Sequence, residues 1–148
     1  MSADSDGGKG PRSDVELNVR AARGRLTMKR LLEDKVQDAS VSDRIVLAIL
    51  SWRPSRATSV QKLGLLVRAA VEGRAPEGIG PHFSGGFDDD IAESLEGLNE
   101  EGYVFSNPDG TFALSMSGRE LISNYLTDPV SERAKEATRK IAMGREPS

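Results

Sequence analysis

Residues 87–126 read FDDDIAESLEGLNEEGYVFSNPDGTFALSMSGRELISNYL. The pattern predicts a helix that starts at Asp88 and ends at Gly102, two short strands at 103–106 and 111–114, and another helix from about Met116. The turn between the strands is Asn-Pro-Asp-Gly, in which each residue type suits its position in a tight turn. A helix, a hairpin and a helix therefore follow one another.

Two more helices are predicted before this segment. The first, Val41–Trp52, has apolar residues at helical spacing, with Ser42 as the predicted N-cap and Trp52 in the core. The second, Thr58–Glu72, begins with a motif that we interpret as a capping box, Thr58-x-x-Gln61. We therefore predict an α+β, mostly helical fold: a winged helix-turn-helix domain with a β-hairpin wing and terminal helical extensions.

The chain is predicted to divide into four parts. Residues 1–13 lack apolar side chains to bury, which favours disorder. Residues 14–40 form a basic N-terminal extension, residues 41–127 the winged-helix domain, and residues 128–148 a C-terminal helix and tail. Within the extension, Val15–Val36 has helical spacing. A strand at 15–19 followed by a helix at 27–37 is the alternative.

The last predicted helix follows Asp128-Pro129 and carries one narrow apolar stripe. This stripe could dock on the winged-helix domain or on a second copy of the chain, which makes the terminal helices candidates for a homodimer contact. Its members are Val130, Ala134, Ala137 and Ile141.

Composition limits the chemistry that the chain can support. It has no cysteine, so disulfides, cysteine-bound zinc and thiol catalysis are excluded. No apolar run reaches the length of a membrane span, and the polar N-terminus does not resemble a signal peptide. We therefore expect a soluble, cytoplasmic protein that does not enter a membrane.

Charge is distributed unevenly along the chain. Residues 1–76 carry 14 Lys and Arg against 9 Asp and Glu, whereas residues 77–128 carry a single base, Arg119, against 11 acids. The overall net charge of −3 hides this asymmetry. Such a layout bears on binding partners rather than on fold.

The predicted third helix, just before the hairpin, is almost purely acidic on its outer face and has no Lys or Arg. In a winged-helix domain this helix would enter the DNA major groove, where its acids would repel phosphates. We therefore predict that it docks a basic protein partner. The candidate interface residues are Asp89, Asp90, Glu93, Glu96 and Glu100.

DNA binding through another surface is the alternative function. Five bases fall within eleven residues of the N-terminal extension, and two more lie on or beside the second winged-helix helix. Such a cluster could grip phosphates without reading the base sequence. The candidates are Arg20, Arg23, Arg25, Lys29, Arg30, Arg56 and Lys62.

No pattern indicates an enzyme. His82 is the only histidine and lies in a Gly/Pro-rich loop at 73–86 without a nucleophile motif beside it. The glycines match neither a P-loop nor a dinucleotide-binding fingerprint, and the run Asp88–Asp90 does not match a calcium loop. We therefore predict no catalytic residues, no metal site and no cofactor.

Three segments resemble the Panacea/YwgA-like winged-helix family. The run TSVQKLGLL at 58–66 is similar to its T-x-x-Q-K-L helix, and PHFSGGF at 81–87 takes the place of its F/Y-G-P-[YF]-S segment, with the order of residues changed. The run LSMSGRE at 114–120 resembles its L-T-x-x-G-R-E ending. The resemblance spans about residues 43–126. It implies a winged-helix fold and a regulatory role, since family members act as antitoxins or adaptors through proteins, and more distant PadR-like relatives bind DNA.

Overall fold

The structure is a computed structural model that describes residues 9–73 and 87–145. The side chains of 19, 20, 22–73 and 87–144 are described within these ranges. Most of the predicted Gly/Pro loop, with His82, lies outside the described residues. The chain divides into two compact units, 1–37 and 38–148.

The first unit contains one long helix, α1, which runs from Lys9 to Asp38. The helical prediction for Val15–Val36 is confirmed, and the alternative strand at 15–19 is wrong because the 3.6-residue period continues through the whole segment. Gly24 does not interrupt the helix: its position is exposed, and a Cβ there would meet nothing within 4 Å. The helix begins inside the segment that was predicted to be disordered, and residues 1–8 lie outside the described part of the chain.

The second unit is mostly helical with a small antiparallel sheet, as predicted for an α+β fold. Its elements are, in order, α2 (Val41–Trp52), β1 (Ser55–Arg56), α3 (Ala57–Val71), α4 (Asp89–Glu100), β2 (Val104–Ser106), β3 (Thr111–Leu114), α5 (Met116–Glu120), a π-helical turn (Leu121–Tyr125) and α6 (Pro129–Arg145). The predicted helices and hairpin strands agree with these bounds to within about two residues, the variation normal at element ends.

The sheet has three strands in the order β1-β3-β2, all antiparallel. Phe105 of β2 pairs with Ala113 of β3, and Ser55 of β1 pairs with Phe112. The hairpin turn forms as predicted: Gly110 donates its N–H to the Asn107 carbonyl at 3.0 Å and has a φ of +88°. Strand β1 is not among the predicted elements, since a two-residue strand is too short to show an alternating pattern.

Helix α2 forms the centre of the second unit. Its residues 45–50 are all buried, and α3, α4, α6, β3 and the π-helical turn pack around it. Its N-cap is Ser40 rather than the predicted Ser42: Ser40 Oγ accepts from the Asp43 N–H, and Asp43 Oδ2 accepts from the Ser40 N–H. Ser42 is the second residue of the helix and is buried. Trp52, predicted to be in the core, is 36% exposed because it lies at the helix end, beyond the surrounding elements.

Helix α6 docks on α2 and α3 of its own chain, so its packing stripe is used within the second unit. The most buried positions form a stripe of small residues, of which only Ala134 belongs to the predicted stripe: Ser131, Ala134, Thr138 and Ala142. The predicted Val130, Ala137 and Ile141 flank this stripe and are half-buried. Thr138 was missed because its hydroxyl is satisfied inside the helix, by the Ala134 carbonyl at 2.8 Å.

The ion pair between Arg44 and Asp128 joins the first turn of α2 to the start of α6. Arg44 Nε lies 3.2 Å from each carboxylate oxygen of Asp128. Asp128 also caps α6, because it accepts from the Ser131 N–H at 3.1 Å and from the Ser131 hydroxyl at 2.6 Å. Partial burial tends to raise the pKa of Asp128, but the Ser131 hydrogen bonds and the Arg44 charge outweigh it and lower the pKa to about 2.

Asp128 makes stability depend on pH in the acid range. Because its folded pKa is below the ordinary value of 3.8, its stabilising effect is complete above about pH 4 and is lost as the pH falls towards 2. With a third of the side chain exposed, we expect this effect to be roughly 1–2 kcal/mol. In urea unfolding between pH 2 and 7, Asp128→Asn should be less stable at pH 7 and show a shallower acid slope. Asp89→Asn, at an exposed position, is the control, and equal slopes for wild type and Asp128→Asn would contradict the assignment.

Gly118 allows α5 to lie against the end of α4. The Tyr103 carbonyl accepts from the N–H of Ser115, the N-cap of α5, at 3.0 Å. A Cβ on Gly118 would lie 2.0 Å from this carbonyl oxygen and 3.3 Å from Leu114 Cδ2. Any side chain at 118 would therefore separate α5 from the start of β2.

Gly118→Ala should destabilise the protein by about 2–4 kcal/mol, since backbone atoms must move to make room. Gly97→Ala is a matched control in α4, where a Cβ would meet nothing within 4 Å. The control should leave stability unchanged or raise it by about 0.5–1 kcal/mol. Thermal and urea unfolding measure both variants, and similar stabilities would show that α5 does not need this close approach.

Candidate functional site

The candidate site is the outer face of α4, and its position depends on Asp88, which precedes the helix. Asp88 Oδ1 accepts from the N–H groups of Asp90 at 2.9 Å and Ile91 at 3.1 Å, so Asp88 is the N-cap. The prediction that α4 starts at Asp88 is confirmed to one residue. Asp88 does not belong to the exposed acids of α4, because its side chain is only 14% exposed and bonds to Arg68 of α3.

Gln61 of α3 holds the backbone of Asp88 at two points. Its Nε2 donates to the Asp88 carbonyl at 3.1 Å, and its Oε1 accepts from the Asp88 N–H at 2.9 Å. The predicted capping box at Thr58-x-x-Gln61 is therefore wrong. Helix α3 starts after Arg56, without a side-chain cap, and the amide of Gln61 is used for a contact 27 residues away in sequence.

Arg68, two turns further along α3, completes the contact with Asp88. Its Nε lies 3.0 Å from Asp88 Oδ2, and its guanidinium also donates to the buried hydroxyl of Ser42. The same side chain lies 3.9 Å from Glu72. One arginine thus joins α2, α3 and the start of α4, and it supplies the opposite charge for an acid that is largely buried.

The Gln61 contact should be needed for stability. Gln61→Met keeps the volume but leaves the Asp88 N–H and carbonyl without their partners, so we expect a loss of about 1–3 kcal/mol. Lys62→Met is the control on the next, exposed residue of the same helix and should change stability by less than about 0.5 kcal/mol. Urea unfolding compares the two. If both variants match wild type, the two hydrogen bonds do not stabilise the fold.

The predicted interface residues lie on the exposed surface of α4, and four of them form one line. Asp89, Glu93, Glu96 and Glu100 are spaced i, i+4, i+7 and i+11, which places them on the side opposite the buried Ile91, Leu95 and Leu98. We call these four residues the acidic ridge. Asp90 is exposed beside it. Among the residues that the structure describes, none of these five acids makes an ion pair or a side-chain hydrogen bond.

The acidic ridge is unfavourable for the isolated helix. Like charges at i, i+3 and i, i+4 destabilise a helix by about 0.2–0.5 kcal/mol a pair, and the ridge contains such a pair at each step. Asp89 and Asp90 offset part of this, because acids in the first turn interact favourably with the helix dipole. Glu96 and Glu100 lie near the other end, where the dipole disfavours them.

Exposed aromatic side chains precede and follow α4. Phe87, two residues before the helix, is 66% exposed, and Phe105 of β2 is 45% exposed. Both large apolar side chains lie in the acidic part of the sequence. Aromatic anchors beside charged residues are typical of protein-binding surfaces. Neither phenylalanine is among the interface residues predicted from the sequence.

The predicted nucleic-acid residues lie on three different elements. Arg20, Arg23, Arg25, Lys29 and Arg30 are exposed on α1, and Lys62 is exposed on α3. Arg56 of β1 reaches the hairpin turn, where its Nη1 is 3.0 Å from the place of a Cβ on Gly110. Hydrogen bonds from Thr111 lower the pKa of Asp109 in this turn, and the charge of Arg56 adds to the effect. Residues 107–110 of the turn contain no base themselves, but the fold brings the guanidinium of Arg56 beside them.

Comparisons with known proteins return no match among protein-family models, curated proteins or solved structures. The resemblance to the Panacea/YwgA-like family therefore stays a prediction. In the described part of the chain no helix combines the length and the apolar character that crossing a membrane requires.

Proposed function

We propose that this protein is a non-enzymatic winged-helix regulatory interaction module, in which α4 docks a basic protein partner. The observation that carries the proposal is the acidic ridge: carboxylates aligned along one helix face, exposed and without an ion pair to any of the described residues. Such a surface would steer a basic partner towards α4 and fix its orientation. Phe87 and Phe105 would add apolar contact, which is the larger source of affinity.

The order of elements supports the winged-helix interpretation. In the second unit a helix, a short strand, two helices and a two-stranded hairpin follow one another, and β1 joins the hairpin beside β3. In this interpretation α2, α3 and α4 are the three helices, and β2 and β3 form the wing. Helix α4 is then the helix that would enter the major groove in a DNA-binding relative.

The charge of α4 argues against that docking mode. DNA binding needs basic side chains that neutralise phosphates, and this helix presents acids at every outward turn. At a screened distance each acid placed near a phosphate costs a few tenths to about 1 kcal/mol. The order of elements is that of a DNA-binding fold, but the helix that would contact DNA carries acids that repel it. We therefore favour a protein as the partner of this helix.

The test is retention of proteins from an extract of the source cells on the immobilised protein. The variant Glu93→Gln, Glu96→Gln, Glu100→Gln removes three charges from the ridge. The control Glu33→Gln, Asp34→Asn, Glu120→Gln removes three charges from exposed acids elsewhere. We expect basic proteins retained by wild type and by the control to fall about tenfold or more with the ridge variant, and to be released as salt rises from about 50 to 500 mM. Equal retention by all three proteins would overturn the proposal.

DNA binding by α1 is a second candidate, favoured by the five exposed bases between 20 and 30. On this hypothesis the protein would bind a random-sequence duplex through α1, with Arg56 and Lys62 as further phosphate contacts. Binding would weaken steeply between about 50 and 200 mM salt and would not depend on the ridge acids. Measuring binding of a DNA duplex alongside the retention experiment separates the two functions. The variant Arg20→Gln, Arg23→Gln, Arg25→Gln should abolish DNA binding only, and the ridge variant should leave DNA binding intact.

A further inference from the structure

Helix α1 has an apolar seam on its exposed surface. Val19 is 43% exposed and Leu26 is 58% exposed, and Ala22 lies between them, so the three are spaced i, i+3 and i+7 along one line. Leu32, which is buried, lies about 120° away from Leu26 around the helix, at 100° per residue. The seam is therefore a separate face from the one that contains Leu32.

Bases border the seam on both sides. At 100° per residue, Arg23 and Arg30 fall along one edge, and Arg25 and Lys29 fall along the other. There is no acid between Val19 and Leu32. The surface is thus an apolar line between two basic edges, about 15–18 Å long over residues 19–30.

This chemistry restricts what can cover the seam. DNA would satisfy the bases but leave Val19 and Leu26 without an apolar partner. A membrane-surface helix relies on large apolar and aromatic residues, and this seam has none of the aromatic type. Two α1 helices side by side would bring their basic edges together. An acidic protein surface with apolar contacts satisfies both parts.

The chain itself carries a surface of that kind. The acidic ridge spans 89–100, about 16 Å of helix, which matches the length of the basic edges. Phe87 and Phe105, exposed at either side of α4 in sequence, offer apolar contact. We infer that a second copy of this chain covers the seam, with α1 of each protomer lying along the acidic ridge of its partner.

The arrangement is reciprocal, because a two-fold axis makes the α1–ridge contact occur twice. It rests on the proposed function, since it identifies the basic partner of α4 as α1 of another copy. It differs from a homodimer in which terminal helices pair with each other, because here each contact joins opposite charges.

The experiment is a charge swap in the full-length chain, measured by sedimentation velocity from about 1 to 200 µM. One variant reverses the basic edges, Arg23→Glu, Lys29→Glu, Arg30→Glu, and the other reverses the ridge, Glu93→Lys, Glu96→Lys, Glu100→Lys. We expect wild type to dimerise, and each variant alone to dimerise at least about tenfold more weakly, because like charges face each other in both contacts. An equimolar mixture should restore the dimer, since α1 of each variant then meets a ridge of opposite charge. A chain that carries both reversals should also dimerise.

The control Lys62→Glu, Arg119→Glu, Lys140→Glu reverses three exposed bases outside the seam and should dimerise as wild type does. Circular dichroism establishes that each variant is folded, and recovery in the mixture would itself exclude misfolding as the cause of weak association. A monomeric wild type at 200 µM in low salt, or variants that fail to rescue each other, would overturn the second-copy assignment. Retention of other basic proteins through the ridge would then still support the proposed function. If the protein neither dimerises nor retains basic proteins through the ridge, the second-copy assignment and the proposed function are both overturned.

Discussion

The burial of six consecutive residues, 45–50, in α2 is the constraint on which the second unit depends. Successive helical residues point in directions 100° apart, so a buried run of this length must be covered on every side. Helices α3, α4 and α6, the π-helical turn and strand β3 provide that cover. On the side of α6, the residues along the packing stripe are small: Ser131, Ala134 and Thr138 are all buried. The polar members of the stripe cost little because their hydroxyls are bonded, Ser131 to Asp128 and Thr138 to the Ala134 carbonyl.

A second constraint fixes α4 on this core, so that the outer face of the helix is exposed. Helix α4 packs on α2, and its buried side chains are Ile91, Leu95 and Leu98, but its first turn would be free to fray without a local contact. Asp88 prevents this, because its side chain caps the helix and binds Arg68 while its backbone binds Gln61. The ridge acids destabilise the helix among themselves, so the free energy that keeps them in line comes from these contacts and from the buried face. Natural proteins keep such locally unfavourable features mainly at functional sites.

Much of the fold and of the candidate site could be predicted from the sequence, because these features depend on local sequence patterns. The 3.6-residue period marked the long helices, and Asn107–Gly110 marked the hairpin through its turn chemistry. What was missed depends on contacts distant in sequence. Gln61 has the spacing of a capping residue, and only the fold brings Asp88 to its amide, 27 residues away. The same holds for β1, which exists only because β3 offers an edge, and for Trp52, whose apolar character does not reveal that α2 ends beyond its neighbours. The ridge acids, by contrast, were identified directly, since a charged face needs no tertiary contact to be recognised.

The distribution of charge links the two proposed contacts. On one DNA duplex, the acidic ridge would repel the phosphates that the basic helix attracts. The net electrostatic attraction to DNA falls with every acid brought near the phosphates. In protein association the same two surfaces are complementary. Pairing them offsets the repulsion among the acids of the ridge and the repulsion among the bases of α1. The apolar seam on α1 favours the second of these uses. Phosphates cannot bury Val19 and Leu26, whereas the aliphatic stems of the glutamates and the rings of Phe87 and Phe105 can, so the hydrophobic contribution favours a protein surface. If the second copy is bound in this way, a third protein that binds the ridge, or an anionic ligand that binds the bases of α1, has to displace it, and the apparent affinity of that competitor falls as the concentration of the chain rises.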